Sequence, residues 1–417
     1  MIIKDVIVSK SRSGFYYDDQ KAIKGGQLEH DGFFYHGKPS TAGFEHIRHA
    51  GEAISLQIIL ADGTVGLGDC VAVQYSGIDG RDPLFLAKDY YEFIIDEVVP
   101  ILKGHQINSF RQSAEYFDSL LINEKRLHTA IRYGLTQALL SAVSNYKKTT
   151  MVEIIRGDYN LESLELKRVP IFTQSGDDRY LKVDQMIIKE VDVLPHALIN
   201  NVETKLGHQG EILKEYLEWV VNRINTKKRR QEYQPVIQLD VYGTFGEAFS
   251  KDLDKIANYI IDLEKIAFPY LLRIEGPIDF ESRENTMEAL QNLTNKLKVR
   301  KSKVELVADE WCNSLEDIKY FVDNRACDMV QIKAPDLGGI NNAIEAILYC
   351  NKHGIKSYLG GSCNETDIST RVSANIALAC EAKLLLGKPG MGVDEGLMIL
   401  ENEQQRIIAL SKILSTR

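Results

Sequence analysis

Four strand-like apolar segments in the second half of the chain each carry an ionisable residue at or near their C-terminal end. VIQLD ends at Asp240, LLRIEGP contains Glu275, VELVADE contains Asp309 and MVQIK ends at Lys333. Each interval between them has room for one amphipathic helix and two short loops, which is the spacing of consecutive βα units. One such Asp or Glu is more often a helix cap or a surface ion pair, but four in succession favour a functional site.

A closed parallel βα barrel would bring these residues together, because the C-terminal ends of its strands all face one mouth. Three carboxylates this close repel one another, and a hard divalent cation such as Mg²⁺ neutralises them and accepts their oxygen atoms. A lysine beside the ion has its ammonium form disfavoured, which suits Lys333 to remove a proton at neutral pH. The pattern therefore predicts a Mg²⁺ site at Asp240, Glu275 and Asp309, with proton abstraction by Lys333 beside a carboxylate that the metal binds.

The order Asp, Glu, Asp and Lys resembles that of the enolase superfamily, which pairs a Lys or His base with Mg²⁺. Longer segments are similar to one family within it, the methylaspartate ammonia-lyases: FTQSGDDRY, MIIKEVDVLPHALINNVE, LRIEGP, LVADEWCN, MVQIKAPDLGG, GGSCNET and KPGMGVDEG, with GFYYDDQ, GDCVAVQYSG and GRDPLFLAKD near the N-terminus. The resemblance covers nearly the whole chain. It implies a carbon–nitrogen lyase of glutamate catabolism, which uses Mg²⁺ to convert L-threo-3-methylaspartate reversibly into mesaconate and ammonia. It also implies a homodimer and a monovalent cation such as K⁺.

The resemblance also assigns roles to residues that would otherwise be interpreted as structural. His196, at the end of the predicted second strand, becomes the base on the face of the substrate opposite Lys333. The implied substrate contacts are the amides of Gln174 and Gln331, Gln74 at the substrate amine, Ser362 and Cys363 at one carboxylate, and Phe172, Tyr358 and Leu386 around the methyl group. The family pattern has threonine where this chain has Ser362, so the hydroxyl is kept and a methyl group is lost.

Strand spacing and hydrophobic periodicity predict a TIM-type α/β barrel with an N-terminal α+β capping domain, and the resemblance implies the modified form of barrel found in enolase. The capping domain is placed at residues 1–168 and the catalytic barrel at residues 169–417. Residues 2–9 and 53–60 alternate as strands, and a third strand follows the turn in DGTVGLGD. A helix over 128–146 is predicted to have one apolar face, formed by Ile131, Leu135, Leu139 and Ala142.

Three further elements are predicted around the barrel mouth and the chain end. The Gly-rich stretch Gly66–Arg81, which contains Gln74, is a candidate lid loop. Barrel strands one and seven are expected to end near Gln174 and Ser362, and the eighth strand to lie near Glu381–Leu386. A final helix over 401–413 is expected to pack on the body through Ile407, Leu410 and Ile413.

Composition bounds the class of protein. A chain of 417 residues with 44% hydrophobic content is long enough for two domains, and a net charge of -9 without a basic tract argues against nucleic-acid binding. The sequence has no signal-peptide pattern and no uncharged apolar run approaching membrane-span length, so we expect no membrane association. Six cysteines without a CxxC pair indicate free thiols in a reducing compartment, and hence a cytoplasmic protein.

Two alternatives stay open at this stage. The first is another enolase-superfamily lyase, dehydratase or racemase that acts on a different carboxylate, since the same deprotonated intermediate has several fates. SYLGGSC offers no histidine at the seventh strand, and LPHAL offers no Lys-x-Lys at the second, so two known racemase patterns are missing. The second alternative is a catalytically inactive binding protein on the same barrel.

Overall fold

The N-terminal part of the chain is built on a three-stranded antiparallel sheet. The structure, a computed structural model, describes residues 1–24, 28–78, 80–161, 166–391 and 393–414. The predicted strands are confirmed and are longer than expected. The strands of this part are β1 (Ile3–Asp18), β2 (Glu29–Asp31), β3 (Phe34–His36), β4 (Arg48–Leu60), β5 (Val65–Cys70), β6 (Leu121–Ile122) and β7 (Lys125–Arg126), and β4 lies between β1 and β5 in the sheet. Its helices are α1 (Gln20–Lys24), α2 (Ala87–Phe93), α3 (Val99–Leu102), α4 (Phe110–Asp118), α5 (Thr129–Tyr146) and α6 (Met151–Tyr159), with a π-helical segment, Ile94–Val98, between α2 and α3.

Helix α5 lies between this sheet and the barrel. The predicted helix is confirmed and its apolar face is buried, but burial extends beyond that face, because every residue from 130 to 144 is buried. On one side, Gly66 and Gly68 of β5 allow close contact; a Cβ atom at Gly68 would lie 2.1 Å from the Gly134 carbonyl oxygen. On the other side, the hydroxyl of Tyr133 donates to Glu365 of the barrel. A helix covered on both sides is buried all round, which its own periodicity does not reveal.

Eight parallel strands close into a barrel, as the sequence predicts. Their order around the barrel follows the chain, and the last strand pairs with the first. The eighth strand falls inside the segment proposed for it. The strands are β8 (Ile171–Phe172), β9 (Val193–His196), β10 (Val236–Asp240), β11 (Leu272–Glu275), β12 (Glu305–Ala308), β13 (Met329–Ile332), β14 (Lys356–Leu359) and β15 (Leu384–Leu386).

Helices surround the barrel and complete the C-terminal part. The last helix begins at Asp394, before the predicted start, and only Ile407 of its three predicted packing residues is buried; Leu410 and Ile413 are 45% and 56% exposed. Ile407, Leu410 and Ile413 are three residues apart, and a step of three residues falls about 60° short of a full helical turn. The second and third side chains therefore point progressively away from the body of the protein. The helices are α7 (Arg179–Ile188), α8 (Glu211–Lys227), α9 (Thr244–Ala248), α10 (Leu253–Ala267), α11 (Arg283–Val299), α12 (Leu315–Asp323), α13 (Ala334–Leu337), α14 (Ile340–His353), α15 (Asp367–Cys380) and α16 (Asp394–Leu414), with a π-helical segment, Val202–Leu206, before α8.

The prediction of free thiols is confirmed. All six cysteines are free and buried. Among the helices of the described residues, none combines the length and the apolar character that crossing a membrane requires.

A buried ion pair holds together the loops after β14 and β15. Lys388 Nζ lies 2.9 Å from Glu365 Oε1, and both side chains are fully buried. The ammonium also donates to the carbonyl of Gly360, and a Cβ atom at Gly361 would lie 2.2 Å from it. This pair, together with Tyr133 of α5, therefore fixes the loop that begins Gly360, Gly361 and Ser362 against both the barrel and the capping domain.

We expect Lys388→Met to destabilise the protein by about 3–5 kcal/mol, because it leaves the charge of Glu365 buried without its cation. The double variant Lys388→Met/Glu365→Gln removes that charge and should recover most of the loss. Urea unfolding of both variants measures the difference, with the exposed Lys383→Met on the same segment as the matched control. A single variant that is as stable as the double variant would contradict this account of the pair.

Candidate active site

Three neighbouring barrel strands bring the predicted carboxylates together. Asp240 and Glu275 are the last residues of β10 and β11, and Asp309 directly follows β12. One carboxylate oxygen from each lies within 4.8 Å of those from the other two, and all three residues are buried. Their convergence follows from parallel strand register, since Asp240 is aligned with Glu275 across the β10–β11 pair.

The amides around Glu275 fix its orientation. Gln238 Nε2 donates to one carboxylate oxygen at 2.7 Å, and Gln331 Nε2 donates to the other at 2.9 Å. Burial, together with the charges of Asp240 and Asp309, raises the pKa of Glu275 well above its ordinary value. A buried, oriented and mutually repelling set of carboxylate oxygens suits a hard divalent cation, so the residues present fit the predicted Mg²⁺ site.

Lys333 lies directly after β13 and contacts two carboxylates. Its Nζ atom is 2.7 Å from Asp309 Oδ1 and 3.1 Å from Glu310 Oε1. Burial alone would lower the pKa of Lys333, but these two acidic residues outweigh burial and hold it above its ordinary value. Arg81 acts in the same direction as burial, so the lowered pKa predicted for this lysine would require the additional positive charge of a bound cation.

Glu310 links Lys333 to the capping domain. Arg81, in the loop after β5, donates from Nη2 to Glu310 Oε2 at 3.1 Å and from Nε to Asp336 at 2.9 Å. Burial would raise the pKa of Glu310, but Lys333 and Arg81 outweigh it and hold the pKa well below its usual range. Glu310 was not among the predicted site residues, although its position next to Asp309 in the ADE segment was a usable signal.

His196 ends β9, on the side of the barrel opposite β13. Four strand positions separate β9 from β13 in either direction around the ring. His196 Nε2 lies 3.3 Å from Asp240 Oδ2, while the buried Nδ1 has no hydrogen-bond partner among the described residues. His196, Ala197 and Leu198 have φ angles of 70°, 73° and 49°, a left-handed run that non-glycine residues rarely adopt. The backbone therefore directs the imidazole into the barrel mouth at a conformational cost.

Most of the predicted substrate contacts line one cavity at the barrel mouth. Gln174 and Ser362 do so from loops, two and three residues beyond the ends of β8 and β14 rather than at the strand ends. Neither strand is long enough to reach the mouth, so the loop carries the side chain there. The predicted residues that line the cavity are Gln74, Gln174, His196, Asp240, Asp309, Gln331, Lys333, Ser362, Cys363 and Leu386.

Phe172 and Tyr358 do not line this cavity. They are fully buried in an apolar cluster inside the barrel that also contains Leu386, and their ring centroids are 5.8 Å apart. The Phe172 ring lies 5.7 Å from that of His196. The two aromatic residues therefore support the side chains at the cavity wall, where Leu386 presents the apolar surface.

The predicted lid segment is a loop only in part. Gly66–Cys70 belongs to strand β5, because the glycines let this strand pack on α5, and the loop begins at Val71. From this loop the backbone N–H of Gln74 donates to the hydroxyl of Ser362 at 3.1 Å. The loop thus contacts the barrel mouth directly and brings Gln74 and Arg81 to the site.

Other residues at the site were not singled out from the sequence. Gln238 lies two residues before Asp240, on the same side of β10, and strand periodicity could have identified it. Asp18 accepts a hydrogen bond from Gln74, and Arg48 in turn donates to Asp18. Both residues belong to the capping domain, and no local sequence pattern marks them.

The fold and the site together define a class of protein: a capped parallel barrel of the enolase type, with an acidic triad and a lysine at its mouth. A family model described as the methylaspartate ammonia-lyase N-terminus matches residues 1–160, and one described as its C-terminus matches residues 163–413. The chain belongs to the methylaspartate ammonia-lyase family.

Individual relatives agree with this membership over their full length. The methylaspartate ammonia-lyase of Clostridium tetanomorphum is 55% identical over 410 residues, which are 98% of this chain and 99% of the relative. The crystal structure of the β-methylaspartase from that organism, an Mg complex, matches with a TM-score of 0.95 at 54% identity and covers 99% of both chains. The Citrobacter amalonaticus enzyme containing (2S,3S)-3-methylaspartic acid matches with a TM-score of 0.96 at 49% identity, covering 99% of this chain and 100% of the other.

Proposed function

We propose that this protein is a Mg²⁺-dependent ammonia-lyase that converts L-threo-3-methylaspartate reversibly into mesaconate and ammonia. The observation that carries the proposal is the acidic triad, of which Asp240 and Asp309 line the same cavity as Lys333, in a chain of this family. The test is the absorbance of mesaconate formed from the purified substrate, with and without Mg²⁺. Absence of mesaconate under both conditions would overturn the proposal.

The triad and Lys333 divide the chemistry of the elimination. Asp240, Glu275 and Asp309 would hold Mg²⁺, which when bound supplies positive charge beside the C4 carboxylate of the substrate. The proton at C3 lies α to that carboxylate, so the charge left by deprotonation spreads over two oxygens. Lys333 accepts the C3 proton, and the electron pair then expels ammonia from C2. Glu310, which is ion-paired to Lys333 and Arg81, holds the amine of Lys333 at the cavity wall.

The remaining polar groups of the cavity suit a substrate with two carboxylates and one ammonium. Gln331 donates to Glu275, and its carbonyl oxygen is buried without a partner among the described residues, so it can accept a hydrogen bond from the substrate. Burial raises the pKa of Cys363 to about 12, so this residue acts as a neutral thiol rather than as a nucleophile. Gln174 and Ser362 can bind the second carboxylate as neutral donors. Cys363 would contribute its backbone N–H, because its only S–H donates to Gln74.

Leu386 is expected to limit the size of the substrate alkyl group, because it alone of the three predicted apolar residues lines the cavity. Leu386→Ala should raise kcat/KM for larger 3-alkyl aspartates relative to methylaspartate by roughly tenfold or more, as a pocket methylene contributes about 1–3 kcal/mol of discrimination. Competing-substrate assays measure the ratio. The matched control is Leu384→Ala on the same strand, which lies in the buried cluster and should reduce stability without shifting the ratio.

Family membership supports several finer proposals. We propose a homodimer in the cytoplasm that acts in glutamate catabolism and is activated by a monovalent cation such as K⁺. We place the boundary between the capping domain and the barrel at residues 168 and 169, between the end of α6 and the start of β8. Analytical ultracentrifugation tests the homodimer. Assays in K⁺ buffer and in tetramethylammonium buffer test activation by the monovalent cation.

A further inference from the structure

The side-chain amide of Gln74 lies between a carboxylate and a thiol. Its Nε2 is 2.7 Å from Asp18 Oδ2, and its Oε1 is 3.1 Å from Cys363 Sγ. Asp18 is at the end of β1 in the capping domain, and Cys363 is in the loop after β14 of the barrel. Gln74 and Cys363 line the cavity, whereas Asp18 is buried outside its lining.

The chemistry of the two neighbours determines which way the amide faces. An ionised carboxylate only accepts hydrogen bonds, so the amide atom at 2.7 Å from Asp18 must be the –NH₂ group. The Cys363 thiol donates to the carbonyl oxygen, in agreement with its raised pKa, which keeps the proton on sulfur. The carbonyl oxygen has a second lone pair, and the cavity is the open direction in which it can accept a further N–H.

Asp18 itself is held in place by Arg48. The guanidinium donates from Nε to Oδ1 at 2.6 Å and from Nη2 to Oδ2 at 2.8 Å, a bidentate pair. The Arg48 guanidinium carbon lies 5.1 Å from the Tyr16 ring centroid and 4.8 Å from that of Tyr35. Two ring contacts and a bidentate ion pair leave the Arg48 side chain few other conformations, so the carboxylate of Asp18 is fixed before substrate binds.

We propose that Asp18 is a positioning residue that locks the amide of Gln74 with its carbonyl oxygen toward the cavity, where it accepts a hydrogen bond from the reacting amine. The inference rests on the proposed function, which supplies the amine, and deepens it by naming what selects ammonia. A locked acceptor favours a nitrogen that carries several N–H groups. It contributes nothing to the binding of mesaconate, which has none.

The test is Asp18→Asn, whose side chain has nearly the same shape but can either donate or accept, so that Gln74 is free to turn over. In the addition direction we expect KM for ammonia to rise about tenfold, because a hydrogen bond to the amine is lost in part of the population. KM for mesaconate should stay the same. A general loosening of the site would instead raise both constants together.

A double-mutant cycle with Gln74→Met isolates the link between the two residues. Gln74→Met keeps the length of the side chain without an amide and should itself raise KM for ammonia; an unchanged value would overturn the proposal even where Asp18→Asn does not fold. In the Gln74→Met background, Asp18→Asn should add no further effect on KM for ammonia, since there is no amide left to orient. Additive effects would mean that Asp18 acts by another route, and would refute the proposal.

Two further variants separate positioning from folding. Asp18→Glu keeps a carboxylate that can only accept hydrogen bonds. Its KM for ammonia should therefore lie between the values for the wild type and for Asp18→Asn, and a KM above that of Asp18→Asn contradicts the proposal.

Asp69→Asn is the matched control. Asp69 is also a buried carboxylate of the capping domain, and it contacts the barrel through Thr366 but lies outside the cavity lining. It should leave both KM values unchanged. A wild-type protein that forms no mesaconate would instead refute the proposed function itself.

Discussion

Glu275→Gln is expected to reduce Mg²⁺-dependent formation of mesaconate by about 10³-fold or more, because the charge stabilisation that a bound metal supplies amounts to several kcal/mol. The change keeps the shape of the side chain but removes a charged ligand from a site where the other two, Asp240 and Asp309, remain. The fold should survive. Burial and these two neighbours already raise the pKa of Glu275, so a neutral amide at this position relieves repulsion in the metal-free protein.

Thermal unfolding separates metal binding from chemistry in the same variant. Mg²⁺ should raise the unfolding midpoint of the wild type, as any ligand specific for the native state does, and should leave that of Glu275→Gln nearly unchanged. The matched control is Glu288→Gln, the same substitution at an exposed position on α11, directly after the strand that carries Glu275. Full activity of the wild type in excess chelator, or a normal Mg²⁺ shift in Glu275→Gln, would rule out the triad as the metal site.

The barrel strands were predictable from the sequence where the polar site residue is itself the last residue of the strand. Asp240 and Glu275 close apolar runs that become β10 and β11, so the same few residues carry both the structural and the chemical signal. Gln174 and Ser362 were placed at strand ends and instead lie in loops, because the preceding apolar residues do not all pair in the barrel. Burial on both sides of α5 depends on two surfaces distant in sequence, which hydrophobic periodicity within the helix cannot represent.

The site was predictable in its barrel half and not in its capping half. The triad and Lys333 follow from strand order alone. The contacts of Asp18, Gln74 and Arg81 depend on how one domain packs on the other; Gln74 and Cys363 are 289 residues apart in sequence. Family resemblance supplied Gln74 and Cys363, but neither resemblance nor periodicity indicated the hydrogen bond between Gln74 and Asp18. Inter-domain hydrogen bonds of this kind require the structure.

Lys333 and His196 are expected to divide the two diastereomers of the substrate between them, because they lie at the C-terminal ends of strands on opposite sides of the barrel. A base can remove only the C3 proton that points toward it, and the threo and erythro isomers differ at C3. Lys333→Ala should lower kcat/KM for the (2S,3S) isomer by about 10²–10⁴-fold, the usual contribution of a general base. His196→Ala should chiefly affect the (2S,3R) isomer.

The two variants serve as controls for each other, since both alter the same cavity and each keeps the other base. His196 Nε2 lies 3.3 Å from Asp240 Oδ2, so its loss is also expected to slow the (2S,3S) reaction moderately by disturbing a metal ligand. That side effect should be much smaller than the loss on the (2S,3R) isomer. Assays of both purified diastereomers with both variants give four values of kcat/KM, each compared with the wild-type value for the same isomer. Equal proportional losses on the two isomers would refute the two-base assignment while leaving a lyase with Lys333 as its single base.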